Sequence, residues 1–372
     1  MNNRQRVNAI MHYEPYDRMP AVAFGYWKET LEKWCAEGHV TRDEVEGYDD
    51  NNEFDRAVMG RLGFDFNWNG GINVSSFLRP GFKSEVIATE PDGSVLRRDG
   101  NGLLVRIKPG VVSIPANAGT SMTGREAWEE LYLPKLTYSP ERVDFDYMKK
   151  TYEEKMASDL PVYLFVGSLY GKIRDMLGVE GLAYLAADDE DLYVEIIDTV
   201  GKLCYQTAEQ ALTSGIPFDY AHYWEDICFK NGPLVRPSVF QEYVAPWYRK
   251  ISDLLNAHGV DIISVDCDGC IDKLVPIWLE SGVNTMFPIE IGTWHASFDK
   301  WRAQYGKTLR GVGGMDKRVF AQDFEAVDRE IERLKPIVDL GGYIPCPDHR
   351  IAPDAKWDNV RYYCDRFHEV FG

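Results

Sequence analysis

From about residue 160 onward, short apolar runs alternate with longer amphipathic stretches. Pro161-Val162-Tyr163-Leu164-Phe165-Val166 is an unbroken apolar run ending at Gly167, the signature of a strand buried on both faces. After Asp191, Leu192, Ile196, Val200, Leu203, Ala208, Ala211 and Leu212 fall close to an i, i+3/i+4 stripe, which predicts a helix. Ser214-Gly215 marks its end. Further strands are predicted at 216–221, 260–265, 284–288, 308–312 and 341–345. Helices are predicted from Pro237 to His258-Gly259, from Ile271, and over 323–338. Pro246 removes a backbone donor inside the first of these and predicts a break there. Strand starts about 24–44 residues apart, each followed by a helix, imply right-handed crossovers and a parallel sheet. No GxGxxG follows a strand, so a dinucleotide-binding fold loses ground and a (β/α)₈ TIM barrel is the better reading.

The earlier part of the chain has a different texture. Residues 1–60 are polar with Trp27, Trp34 and Cys35 interspersed, and read as an N-terminal helical cap. Between 84 and 108, three short apolar runs are separated by Pro91-Asp92-Gly93 and Asp99-Gly100-Asn101-Gly102. This spacing predicts an antiparallel β-meander, a small insertion on the barrel. The chain is then a single barrel domain with these two additions.

Composition narrows the function. The 372 residues carry 41 Lys and Arg against 59 Asp and Glu, a net charge of −18. That excess opposes general binding to nucleic acid or anionic lipid. No apolar run approaches the ~20 residues of a membrane span. Met1 to Arg6 leads to Pro15 and Asp17 with no apolar signal core, and the seven scattered cysteines do not read as a disulfide framework. A cytoplasmic setting with reduced thiols is expected. Cys267 and Cys270 form a lone CxxC, too little for a structural zinc site.

In a TIM barrel the active site lies at the C-terminal ends of the strands. The residues just past the predicted strands are His222, Glu225 and Asp226; Asp266, Cys267, Asp268 and Cys270; Glu290; Met315, Asp316 and Lys317; and Cys346, Asp348, His349 and Arg350. Five consecutive strand ends thus deliver metal-ligating or proton-transferring side chains to one face. Asp266 and Asp268 either bind a metal or move protons, or Asp268 caps the next helix. His349 is read as a metal ligand or general base. Met315-Asp316-Lys317 is read as holding an internal ion pair.

At these residues the sequence resembles the uroporphyrinogen decarboxylase superfamily, which also contains zinc-dependent corrinoid methyltransferases. The resemblance is carried by Arg4 and Arg6 ahead of Glu14-Pro15-Tyr16-Asp17-Arg18-Met19-Pro20, by His222-Tyr223-Trp224-Glu225-Asp226, by Asp266-Cys267-Asp268-Gly269, by Gly313-Gly314-Met315-Asp316-Lys317, and by Gly341 through His349. It implies a (β/α)₈ barrel and a homodimer. Two departures stand out. The decarboxylases have an arginine-bearing segment after the opening proline that grips substrate carboxylates. Here Ala21 to Lys28 holds no arginine. The methyltransferases have His-x-Cys and a late Cys, where this chain has Asp266-x-Asp268 and His349.

The resulting expectation is a methyltransferase. Zinc or another divalent metal, held among His222, Glu225, Asp266, Asp268 and His349, would polarise a small O- or N-methylated substrate. The methyl group would pass to a corrinoid, carried on a corrinoid-binding partner protein. Glu225, Asp266, His349 and Arg350 are the expected catalytic residues, and Tyr26, Trp27, Trp224, Glu290 and Met315 the expected substrate contacts. The alternatives are a metal-independent decarboxylase, in which Arg350 holds a carboxylate, and a non-catalytic small-molecule-binding barrel.

Overall fold

The computed structural model describes residues 1–108 and 116–372. Its strands in chain order are β1 (Val22–Ala23), β2 (Phe66–Asn67), β3 (Glu85–Thr89), β4 (Val95–Arg98), β5 (Leu103–Ile107), β6 (Ala116–Thr120), β7 (Tyr163–Gly167), β8 (Tyr220–Trp224), β9 (Cys228–Phe229), β10 (Gly232–Pro233), β11 (Ile263–Asp266), β12 (Thr285–Phe287), β13 (Arg310–Met315) and β14 (Tyr343–Pro347). The architecture is α/β. Strands β7, β8, β11, β12, β13 and β14 form a six-stranded sheet in which every pair is parallel. β1 and β2 form a separate parallel pair. Two parallel bridges join the pair to the sheet. Tyr26 meets Ile351 beyond β14, and Ile72, beyond β2, meets Leu164 in β7.

Between the pair and the sheet lies a shared aromatic core. Trp68 stacks on Tyr220 at 4.8 Å, Tyr220 packs on Tyr163 at 4.8 Å, and Phe24 packs on Phe287 at 4.5 Å. These rings come from both sides of the bridges, so their burial holds pair and sheet together.

The first 60 residues do contain the expected helices, Asn3–Met11, Lys28–Ala36, Arg42–Gly47 and Glu53–Leu62. Capping boxes at Asn2/Gln5 and Thr41/Glu44 start two of them. The segment also supplies β1, which a purely helical reading misses. Its two residues are fully buried, too short to show periodicity. The insertion is a four-stranded antiparallel sheet in the order β3-β4-β5-β6, one strand more than the meander expected over 84–108. The Pro246 expectation fits. A five-residue π-helical stretch, Phe240–Val244, precedes the helix Ala245–Ala257, with Pro246 in its first turn. Asp268 caps no helix, since the next one begins at Val275. Asp316 pairs with Arg318 at 2.7 Å rather than with Lys317, whose amine donates to the Arg350 carbonyl.

Candidate active site at the strand ends

The predicted strand 216–221 lies four residues further on in the structure, as β8 over Tyr220–Trp224. Successive strand residues point to opposite faces. Tyr220 and His222 face the aromatic core, where His222 lies 5.1 Å from the Tyr163 ring and 6.0 Å from Phe287. Tyr223 faces outward onto Tyr248. Beyond the strand, Glu225 continues outward and Asp226 turns in.

This alternation corrects the role expected of Glu225. Its carboxylate is fully buried and accepts hydrogen bonds from the Leu169, Tyr170 and Gly171 backbone N–H groups at 2.8, 3.0 and 2.7 Å. The Ser168 hydroxyl donates at 3.1 Å, and the Tyr248 hydroxyl donates as well. Burial pushes its pKa up while these donors pull it back. With five donors Glu225 has no oxygen free for a metal or a proton. It fixes the start of the helical stretch Gly171–Asp188. Gly171 is needed there, because a Cβ would stand 1.9 Å from the Glu225 carbonyl oxygen.

Asp226, not assigned as a ligand from sequence, takes the place intended for Glu225. Asp226, Asp266 and Asp268 each offer a carboxylate oxygen within 4.8 Å of the others. Asp226 has φ +48°, a left-handed conformation that costs an Asp of the order of 1–3 kcal/mol. The strain turns its carboxylate toward the Asp268 backbone N–H, which donates to it at 3.2 Å. Asp266 ends β11, with its carbonyl accepting from Glu225 N–H at 2.8 Å. Gly269, at φ +86°, lets the turn after Asp268 press on the β9 strand, where a Cβ would meet the Cys228 carbonyl oxygen at 2.5 Å.

The three carboxylates repel one another in a poorly solvated place. The Asp226 carboxyl is pushed up to about 6, first by burial and then by Asp268. Asp266 is raised well above its ordinary value by burial, then by Asp268 and Asp226, with Arg350 opposing. Asp268 Oδ1 is buried and has no hydrogen-bond partner. Its other oxygen, Oδ2, lies 3.1 Å from His349 Nε2. A carboxylate only accepts, so that ring nitrogen carries the proton. His349 stacks on the half-exposed Trp27 at 5.4 Å and packs on Phe24.

The remaining expected residues fall around this cluster or away from it. Glu290 is buried beside it, with its oxygens taken by Gly269 N–H at 2.6 Å and Thr293 hydroxyl at 2.8 Å. Trp224 sits at the end of β8. Arg350 is held by Asp50 in a two-armed ion pair, and Asp50 also accepts from Tyr48 and Asn67. Its fork is therefore filled rather than open to a substrate carboxylate. His222 is a correction: it is buried among aromatic rings, which press its pKa down to about 3 and keep it neutral, and it does not join the carboxylates. Tyr26 packs on Trp34 and Tyr48, toward the helical layer. Met315 is completely buried at the end of β13. Cys267 is buried between the two aspartates, as a small core residue.

A parallel α/β sheet with titratable groups at the carboxyl ends of its strands defines an α/β protein with a strand-end site. The family described as uroporphyrinogen decarboxylase (URO-D) matches residues 125–370, and the chain belongs to that family. Among solved structures, a methyltransferase from Methanosarcina mazei is similar over 100 % of both chains, at 14 % identity and a TM-score of 0.60. At that identity the likeness is one of fold. A B12-independent methionine synthase from a Shewanella species is more distant, at 10 % identity and a TM-score of 0.46, covering 95 % of this chain and 99 % of that one. No curated protein matches the chain. Among the described residues, no helix is long and apolar enough to cross a membrane.

Proposed function

We propose that the chain is a metal-dependent methyltransferase of the uroporphyrinogen decarboxylase family. It would move a methyl group from a small O- or N-methylated substrate to a corrinoid carried on a partner protein. The fold proposed with it is a closed (β/α)₈ barrel; the two bridges that link the β1–β2 pair to the six-stranded sheet support that closure. The setting is cytoplasmic, which suits seven unpaired thiols.

One observation carries the reading: a buried, unpartnered Asp268 oxygen in a group with Asp226 and Asp266. Carboxylates buried together without a cation are unfavourable, and a divalent ion offsets both their desolvation and their repulsion. The residues present therefore fit a metal. Asp226, Asp266 and Asp268 would hold it, with His349 orienting Asp268 from behind. An oxygen-only set moves the preference from zinc toward Mn²⁺ or Mg²⁺. Such an ion supplies Lewis acidity toward the departing oxygen or nitrogen. The protein's own part is to hold the three carboxylates together, with oxygens within 4.8 Å of one another. Phe24 and Trp27 pack against the His349 ring and fix its orientation.

Decarboxylation has less support. It calls for several free arginines to grip substrate carboxylates, whereas the Arg350 fork is filled by Asp50. The test is spectroscopic. With Mn²⁺ or Zn²⁺ and a panel of methyl ethers and N-methyl amines, the protein is expected to consume cob(I)alamin and form methylcobalamin. No consumption with any donor, together with CO₂ release from a porphyrinogen, would overturn the reading.

A further inference from the structure

Trp224 ends β8 two residues before Asp226, and its ring carries two cations. Lys172 Nζ stands 4.4 Å from the ring centroid and the Arg174 guanidinium 5.5 Å from it. Both reach over from the first turn of the helical stretch Gly171–Asp188, whose start Glu225 fixes. Both also pair with one acid, Asp175, at 3.1 and 3.0 Å. Two positive charges sharing one carboxylate leave an excess of one. The pairing is also incomplete, because Arg174 Nε is buried and has no hydrogen-bond partner. Arg174 is close enough to Asp226 to favour its ionised form. The strand-end site is thus bipolar, with three carboxylates on one side and an under-neutralised Lys–Arg pair on an indole face on the other.

We propose that Lys172 and Arg174, seated on Trp224, bind the single carboxylate of the substrate, so that this site takes monoanionic methyl ethers or N-methyl compounds in preference to neutral ones. The proposal rests on the methyl-transfer reading and names its substrate class. One surplus positive charge suits one carboxylate. It does not suit a polyanion, which the aspartates opposite would repel. Arg174 provides the unused donor, and charge-assisted bonds from a guanidinium to a carboxylate are about twice as strong as neutral ones. Trp224 is the platform on which both cations are seated.

The probes are 4-methoxybenzoate and its uncharged amide, titrated calorimetrically into the full-length protein. The acid is expected to bind ~10-fold or more tightly than the amide, the ratio that one charge-assisted contact supplies. The double substitution K172Q/R174Q is expected to erase the difference, and rising salt to shrink it in the unsubstituted protein. Equal binding of the two probes, no binding of either at millimolar concentration, or a preference that survives in K172Q/R174Q would overturn the proposal. Mn²⁺ titration of the unsubstituted protein, beside the probe titrations, separates the two readings. If the acid preference holds and no divalent ion binds, the carboxylate site stands and the metal reading falls. If Mn²⁺ binds and the preference is absent, the reverse is true.

Discussion

Asp268→Asn is expected to weaken Mn²⁺ binding by more than ~100-fold, beyond the 10- to 100-fold typical of losing a group that only supports a ligand. The substitution leaves an amide where the unpartnered Oδ1 now stands, next to Asp226 and Asp266. It should not unfold the protein, because removing one of three mutually repelling carboxylates relieves the metal-free state. The pH dependence has a definite sign. The Asp226 carboxyl is raised from 3.8 to about 6 in the folded protein. Between these values the folded state holds a proton that the unfolded chain has released. Stability conferred by that proton is present at low pH and lost as pH rises through about 6. The metal-free protein is therefore expected to melt higher near pH 5 than near pH 7.5. Mn²⁺ should reverse the order, since it competes with protons for the same oxygens. Calorimetric scans at the two pH values, with and without Mn²⁺, check both statements.

Glu225→Ala is expected to have the opposite profile. It strips the buried acceptor from three backbone N–H groups and two hydroxyls. Each buried donor left unsatisfied costs about 1–3 kcal/mol. A loss above about 4 kcal/mol follows, at the exceptional end for a single substitution. Denaturant unfolding measures it directly. Any protein that remains folded at low temperature should still bind Mn²⁺, because Glu225 points away from the aspartates. Two adjacent acids, Glu225 and Asp226, then separate cleanly. One change destabilises the fold and spares the metal, while Asp226→Asn spares the fold and loses the metal.

That separation also shows what the sequence made legible. The apolar runs after residue 160 located the parallel strands, and the strand-end rule led to Asp266, Asp268, Glu290 and His349. The structure sets β8 four residues beyond the predicted run. Asp219, which falls inside the predicted strand, instead accepts from Arg4, Asn8 and the Val162 N–H at the strand's edge. A shift of four leaves a period-two alternation unchanged, so the path of the chain beyond the strand, not the register, sets Glu225 and Asp226 apart. The positive φ that turns Asp226 inward has no mark in the sequence beyond Asp's tolerance for it. β1 and β2 leave no mark in the pattern, because two-residue strands carry no periodicity. β6, Ala116-Asn117-Ala118-Gly119-Thr120, is built from residues mostly poor in β propensity. Long-range partners were also out of reach. Asp50, which fills the Arg350 fork, lies 300 residues away; four of the donors to Glu225 lie 54 to 57 residues before it, and Tyr248 lies 23 after it.

The central claim is that Asp226, Asp266 and Asp268 together hold a divalent cation. Anomalous diffraction from crystals soaked in Mn²⁺ tests it most directly. A single strong manganese peak within ligand distance of oxygens from all three aspartates, absent in Asp268→Asn crystals, is the predicted result. Manganese bound elsewhere, or a structure at the same soak in which the three carboxylates bind only water, would contradict the account.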